Sequence, residues 1–465
     1  MHRSAKCRLS NKRASTVLAW IGQDDEDLGE PTNSWRSIQD PKIPEWNCIF
    51  GQVDDRDWLQ LWWSFKWLNR YEFWSRAWII QKITHSNAVF ILGPYEATYA
   101  HLFRTWFQLT TKLYRLYDAQ AGENPEDCFL SVGSRLSAIM PSTTRIVGQD
   151  GMLNLDSWLN SFVLKHQPRC LDPRDMIYAF YSLFTPEIQV KISIDYNMPI
   201  ADLFALMTRV CIEITGNLLL LSLIDMSSRY YSTSPTPDTM LPTWAFNFAG
   251  EISTSLRWHK SICDKGVTDG KRSLFYHRFE KSDRSLLHVK GVYIGQVQNV
   301  DRSPRHKLFL GVSLELSKLC LGVTSDEEFT HLLAFLRTFA EPEDFSSLLH
   351  YDRDSMKASE RKYWTKSSTA LNTHFERLMF SYIPKHSRGQ SDDRRSNRQF
   401  ALGCPGVLPG DKLCLILGCP IPLLLRQTSN SYEVVGSAYV QGYMEGEAID
   451  ALGIDIDDLD DFCLC

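Results

Sequence analysis

Near residue 280 the spacing of apolar side chains changes, and that change limits the possible folds of this chain. Upstream, apolar residues recur three and four apart: Trp58, Leu61, Trp62, Phe65 and Leu68 follow Asp54, Asp55 and Asp57. The same spacing runs through Ile200, Leu203, Phe204, Met207, Val210, Cys211 and Ile214 after Pro199. Both segments predict amphipathic helices, the first with acidic residues near its positive N-terminal end. Downstream, short apolar runs predict strands at 286–297, 412–417, 423–425, 432–435 and 438–440. A helical stretch, 329–339, and a highly charged region, 352–398, lie between them, and 385–398 (KHSRGQSDDRRSNR) is too polar to bury and reads as a mobile loop.

The upstream part also holds two strand signals. Residues 17–21 form an apolar run closed by Gly22, read as a buried strand before an acidic loop at 24–27, and 88–92 is stopped by Gly93-Pro94. Residues 29–52 read as a loop, 74–83 as a helix, and 95–165 as mostly helical with loops near 122–125 and 141–150. Cys170-Leu-Asp-Pro-Arg-Asp-Met-Ile-Tyr178 reads as a helix start, with Asp172 as N-cap, Pro173 at the first position and Asp175 in the first turn. Residues 227–241, rich in Ser, Thr and Pro, read as a linker. The expected fold class is therefore α/β or α+β.

Composition narrows the function. A formal charge of -5 over 465 residues argues against non-specific nucleic-acid binding, which needs a basic surface. Fourteen tryptophans imply bulky cores. The basic residues at 1–13 lack a following apolar segment, so no secretory signal is read, and no apolar run has membrane-spanning length. Twelve scattered cysteines without CxxC pairs fit reduced thiols, so a soluble cytoplasmic protein is expected. Cys463-Leu-Cys465 lacks prenylation spacing and ends an acidic stretch, so it reads as an ordinary tail.

Signatures of dinucleotide, phosphate-loop, zinc-protease, serine-hydrolase and kinase sites are missing from the sequence. Cys414 and Cys419 have no partner at metal-finger spacing and read as structural thiols. No residue is assigned to catalysis or to a metal, and no cofactor is expected.

Four blocks in order resemble one family. Phe73-Trp-Ser-Arg-Ala-Trp-Ile-Ile-Gln81 is similar to the signature of fungal heterokaryon-incompatibility (HET) domains, with Trp74, Arg76, Trp78 and Gln81 matching. Asp172-Pro-Arg-Asp-Met-Ile-Tyr-Ala-Phe180, which includes Arg174 and Asp175, runs toward Asp195-Tyr-Asn-Met-Pro199, and both resemble segments of that family. Leu241-Pro-Thr-Trp-Ala245 resembles a third. The fourth comprises Gly410-Asp-Lys-Leu-Cys-Leu-Ile-Leu-Gly418, with Asp411, then Pro422-Leu-Leu-Leu-Arg426, and Tyr439-Val-Gln-Gly-Tyr-Met-Glu-Gly-Glu447.

The resemblance implies a partial HET domain over 1–110, entered partway through, and a helical continuation over 111–225. A linker at 226–280, a strand-rich lobe at 281–450 containing the charged loop, and an acidic tail at 451–465 follow. It implies a TIR-like lobe and a role in non-self recognition and cell-death signalling with other proteins of the incompatibility pathway. Some TIR domains cleave NAD with a helical glutamate, and the family's Gln-Glu pair is the natural analogue. Here Lys82 occupies that position, and a cation cannot stabilise a developing positive charge. The expectation is a non-catalytic interaction protein or decoy. The alternatives are a TIR-like NAD glycohydrolase using another acid, with Glu72 and Glu96 nearby, or a non-functional fragment.

Structural roles account for the same residues. Trp74 and Trp78 four apart fit one packed helical face, Arg76 an ion pair or cap, and Asp172 and Asp175 a helix start. Asp411 fits a turn, and Arg426 a charge on an edge strand.

Overall fold

The computed structural model describes residues 16–22, 71–84, 88–92, 95–99, 102, 152–166, 168–226, 241–250, 276–280, 285–301, 323–326, 330, 376–382, 398–440, 443 and 459–465. The expected loops at 24–27, 29–52, 122–125 and 141–150 and the helix through Trp58 lie outside these residues. So do the linker at 227–240, the helix at 329–339 apart from Thr330, the loop at 385–397, and Glu447. The content is mixed α and β, and the chain divides into two compact units, Met1–Met198 and Pro199–Cys465. Among the described residues, no helix is long and apolar enough to cross a membrane.

In the first unit, strand β1 (Val17–Gly22) pairs in parallel with β2 (Ala88–Leu92), which pairs antiparallel with β3 (Tyr95–Thr98). Between β1 and β2 in sequence lie a 3-10 turn, Glu72–Ser75, and a short helix α1 (Ile79–Thr84). The run at 17–21 is not a buried strand. Ala19 and Ile21 are buried while Leu18 and Trp20 stand 66% and 55% exposed, so only one face is covered. On the buried side Phe90 of β2 meets Trp74, ring centroids 5.2 Å apart, and Phe73 packs edge-on against Trp74 at 5.0 Å.

The expected continuous helix over 74–83 is broken. Arg76 is extended (φ -81°, ψ 131°), so Trp74 and Trp78 do not share one helical face. The cause is tertiary pairing. The Arg169 N–H donates to the Ser75 carbonyl, and the Ala77 N–H donates to the Arg169 carbonyl at 3.0 Å. Those two bonds occupy backbone groups that a helix would use internally.

The rest of the unit packs aromatic rings. Asn154 caps helix α2 (Leu155–Trp158) by accepting the Ser157 N–H at 2.8 Å, and a π-helical segment, Leu159–His166, continues it. Trp158 packs edge-on against Phe184 at 5.3 Å, and Phe162 against Phe180 at 5.0 Å. Helices α3 (Asp175–Tyr178) and α4 (Pro186–Lys191) complete the layer, α4 with Pro186 in its first turn.

In the second unit, α5 (Ile200–Thr215) matches its predicted face, with Leu203, Phe204, Met207, Val210 and Cys211 buried. A short helix α6 (Leu219–Ser222) follows and packs on the sheet described next. The strands are β4 (His277–Phe279), β5 (Leu287–Asp301), β6 (Glu376–Tyr382), β7 (Arg398–Gly403), β8 (Lys412–Ile416), β9 (Leu423–Gln427), β10 (Tyr432–Val440) and β11 (Asp460–Leu464). Six of them close a ring in the order β5-β6-β7-β10-β9-β8, with β8 returning to β5 and every neighbour antiparallel. A closed ring leaves none of its six strands with an open edge. Val292, Ile294, Val297, Ala401, Leu413, Leu415, Leu424, Val435 and Ala438 belong to one buried cluster.

Strand β9 is therefore not an edge, and Arg426 is not an edge-strand charge. The acidic tail is also corrected at its end. Asp460–Leu464 is a strand pairing with β5 from Asp460↔Gly291 to Leu464↔Leu287, and Cys465 bonds the Tyr432 carbonyl through its N–H.

At Gly291, β5 runs so close to β8 that an added Cβ would strike the Leu415 carbonyl oxygen and lie 2.8 Å from the Ile416 Cδ1. Backbone cannot yield as a side-chain tip can. Gly291→Ala should therefore destabilise the second unit by about 2 kcal/mol, within the usual range for overpacking. Urea denaturation should show a lower midpoint with an unchanged slope.

Candidate functional site

The second motif block forms a compact polar clamp. Asp172 is not the N-cap expected, nor Pro173 the first helical residue: α3 starts at Asp175 with Arg174 in the cap position, and Asp172 closes the turn before it, its Oδ1 accepting the Arg174 N–H at 3.0 Å. The Arg174 guanidinium then folds back onto the same carboxylate. Its Nε and Nη2 donate to Oδ1 and Oδ2, both at 3.0 Å. Its Nη1 reaches the carbonyls of Tyr196 and, at 3.2 Å, Met198. The hydrogen bonds it donates to Asp172 hold the guanidinium above its ordinary range.

The third partner is Asp175, buried in the first turn of α3. It accepts the Tyr196 hydroxyl at 2.6 Å, while the Tyr196 ring lies 5.5 Å from the Arg174 guanidinium carbon. Tyr178 donates to the Asp195 carbonyl at 2.9 Å, and burial pushes its hydroxyl up. The two quoted segments, Asp172–Phe180 and Asp195–Pro199, are thus brought together by side chains that bind backbone. Tyr196, Asp195 and Tyr178 were quoted within those segments but not singled out. Their signal was aromatic and acidic residues placed for contact between the two motifs.

The first block joins the second through the Arg76–Arg169 bridge, three residues before Asp172. Within it Trp74 and Gln81 are buried, Trp78 is half-buried, and Arg76 and Lys82 are exposed. Lys82 lies in the last turn of α1. Nearby, burial and the charges of Asp175 and Asp172 push the Cys170 thiol up to about 12.

The third and fourth blocks hold the second unit together. Thr243 is a three-way joint. Its N–H donates to the Cys465 carbonyl at 2.7 Å, its hydroxyl donates to the same oxygen, and that hydroxyl accepts the Val434 N–H at 2.9 Å. Trp244 Nε1 donates to the Ser285 carbonyl at 2.6 Å, and its ring packs on Phe279 at 5.2 Å. Sequence reading had not singled out Thr243 for any role.

Asp411 and Arg426, fifteen residues apart, form a bidentate pair with both bonds at 2.9 Å. The Asp411 side chain is 3% exposed and that of Arg426 25%. Asp411 also accepts the Leu408 N–H at 2.8 Å, and Arg426 donates to the Gly406 carbonyl at 3.0 Å. The Asp411 hydrogen bond holds the Arg426 guanidinium above its ordinary range. Burial raises the Cys414 thiol and pushes that of Cys419 up to about 12, consistent with the structural thiols expected.

These arrangements hold chain segments in place rather than presenting reactive groups. Asp172, Asp175 and Asp411 each accept hydrogen bonds from protein donors. Among the described residues, no group of three His, Cys, Asp or Glu could hold a metal ion.

Two outcomes follow from these geometries. Arg174→Lys keeps the charge but loses the planar fork, so it should cost about 2 kcal/mol and fail to rescue Arg174→Ala. Amide exchange at 195–198 is the readout. Asp411→Ala should cost about 3 kcal/mol by leaving Arg426 uncompensated. The double variant Asp411→Ala/Arg426→Leu should lose less than the two single losses combined, measured by urea denaturation. No family model matches this chain, and neither a curated protein nor a solved structure matches it significantly.

Proposed function

We propose that this chain is a heterokaryon-incompatibility-type protein acting in non-self recognition and cell-death signalling, as a non-catalytic interaction protein or decoy. The single observation that carries the non-catalytic reading is Lys82. It stands exposed in the last turn of α1, at the position where the resembling family has a glutamate. A cation there opposes the positive charge that forms on ribose as nicotinamide leaves.

Two features support the family reading. β1, α1 and β2 form a β-α-β crossover between parallel neighbours, the unit from which a TIR-like lobe would be built. The resembling blocks also occupy the joints of each unit, as a shared architecture would require. Partners in this reading are other proteins of the incompatibility pathway.

Inducing the chain in a fungal host, beside its Lys82→Glu variant, tests the proposal through viability and cellular NAD. The native chain should leave NAD unchanged. Cell death with falling NAD from the native chain would overturn the non-catalytic reading and favour an NAD glycohydrolase using another acid. NAD loss gained only with Lys82→Glu would identify position 82 as the place where the chemistry was lost.

A further inference from the structure

Strands β4, β5 and β11 carry a row of polar side chains on one face, away from the motif residues. Cys463 of β11 stands directly across from His288 of β5, which stands across from Arg278 of β4. The Cys463 Sγ lies 3.9 Å from His288 Nε2, and Glu280 Oε2 lies 3.6 Å from the same nitrogen. Glu280 also meets Arg278 at 3.9 Å, and Lys290 of β5 meets Asp461 of β11 at 3.5 Å. Tyr276 lies under the Lys290 ammonium at 5.7 Å. Among the described residues, the titratable and charged groups around Cys463 are thus His288 and Lys290 from β5, Arg278 and Glu280 at β4, and Asp461 from its own strand.

This grouping decides between two chemistries. A hydrolytic triad needs the thiol on one imidazole nitrogen and the orienting carboxylate on the other. Here both lie on Nε2, so the imidazole does not relay a proton between them. What the geometry supplies is an imidazole, held by Glu280, with its Nε2 beside a sulfur. An imidazole so placed can take the thiol proton, and the thiolate left behind is the nucleophile in thiol–disulfide exchange.

The other described thiols are placed differently. Cys211, Cys404, Cys414 and Cys419 are buried, and Cys170 sits near Asp172 and Asp175, whose charges oppose a thiolate. Cys465 donates its S–H toward the Tyr432 carbonyl at 3.5 Å, an acceptor that cannot carry the proton away. Among the described thiols, Cys463 alone is both half-exposed and set against an imidazole.

We propose that Cys463, set against His288, is a reversible thiolation site for low-molecular-weight disulfides. The Cys463 thiolate attacks one sulfur of the incoming disulfide, and a new S–S bond forms as the reagent's S–S bond breaks. The other half leaves as a thiolate and takes a proton from solvent. Cys463 is oxidised and the departing thiol reduced. Arg278 and Lys290, with side chains 60% and 35% exposed, favour a reagent that carries carboxylates.

The test incubates the full chain with glutathione disulfide at pH 7 and maps adducts by peptide mass. Cys463 should be modified about tenfold faster than Cys465. His288→Gln should slow Cys463 by about tenfold at pH 7 and much less at pH 9, where thiols ionise without help. Its thermal melt, compared with the native chain, separates this loss from unfolding. Equal rates at Cys463 and Cys465 in the native chain would overturn the proposal without any variant. So would a folded His288→Gln chain whose ratio of pH 7 to pH 9 rates is unchanged.

Discussion

Strand β5 bonds to four others, and the second unit depends on how it does so. Its first residues lie between β4 and β11, and its later ones between β8 and β6. Serving both sets requires a bend, and the register shifts between Tyr293 and Gly295 and again between Val297 and Asn299. Such bulges increase local twist and let a strand pass from one sheet into another. The ring can then close through β7 and β10, because β5 has already turned its second half toward β6. Gly291 pairs with Asp460 of β11 on one side and Ile416 of β8 on the other, and its missing Cβ is what permits the close approach to Leu415.

Once the ring is closed, its outside must be covered, because β8, β9 and β10 are buried on both faces. The Leu241–Ala245 segment supplies part of that cover. Thr243 ties the start of β10 to Cys465, Trp244 reaches Ser285 and Phe279, and the Phe246 N–H bonds Thr208 in the middle of α5. Gly436 is a second point of close approach. The carbonyl of Ile224 lies 3.0 Å from where its Cβ would be, and Cys404 lies closer still. The stretch from Thr243 to Phe246 thereby fixes a helix, two strands and a hairpin that lie far apart in sequence.

Local signals made part of this legible. Strands β8 and β9 are unbroken apolar runs between glycine and proline, and α5 has a clean helical stripe after Pro199, so periodicity alone places them. Strand β10 read as two pieces because Gly436 interrupts it, although the ladder continues through the bulge. Strands β6 and β11 were hidden by their charged surroundings. Asp460 and Asp461 point to solvent at the start of β11, and pairing with β5 outweighs their poor strand propensity. The break at Arg76 was hidden for a different reason. The partner that pulls Ser75 and Ala77 out of a helix is Arg169, more than ninety residues away, and no local pattern reports it. At the site, the identities of Asp172, Arg174, Asp175, Asp411 and Arg426 were legible from the motifs. Their pairing was not, because a charge near a turn looks the same whether it faces water or a partner.

Position 82 can be judged on stability alone. It lies in the last turn of α1, where unsatisfied carbonyls make the helix end negative. A lysine there is favourable by about 0.5 kcal/mol, and a glutamate is unfavourable by a similar amount. Lys82 is thus compatible with the end of α1 at which it stands. The energy involved is too small to unfold a helix fixed at its start by the buried Trp74, Ile79 and Ile80, so an altered activity in a Lys82→Glu chain would report chemistry rather than folding.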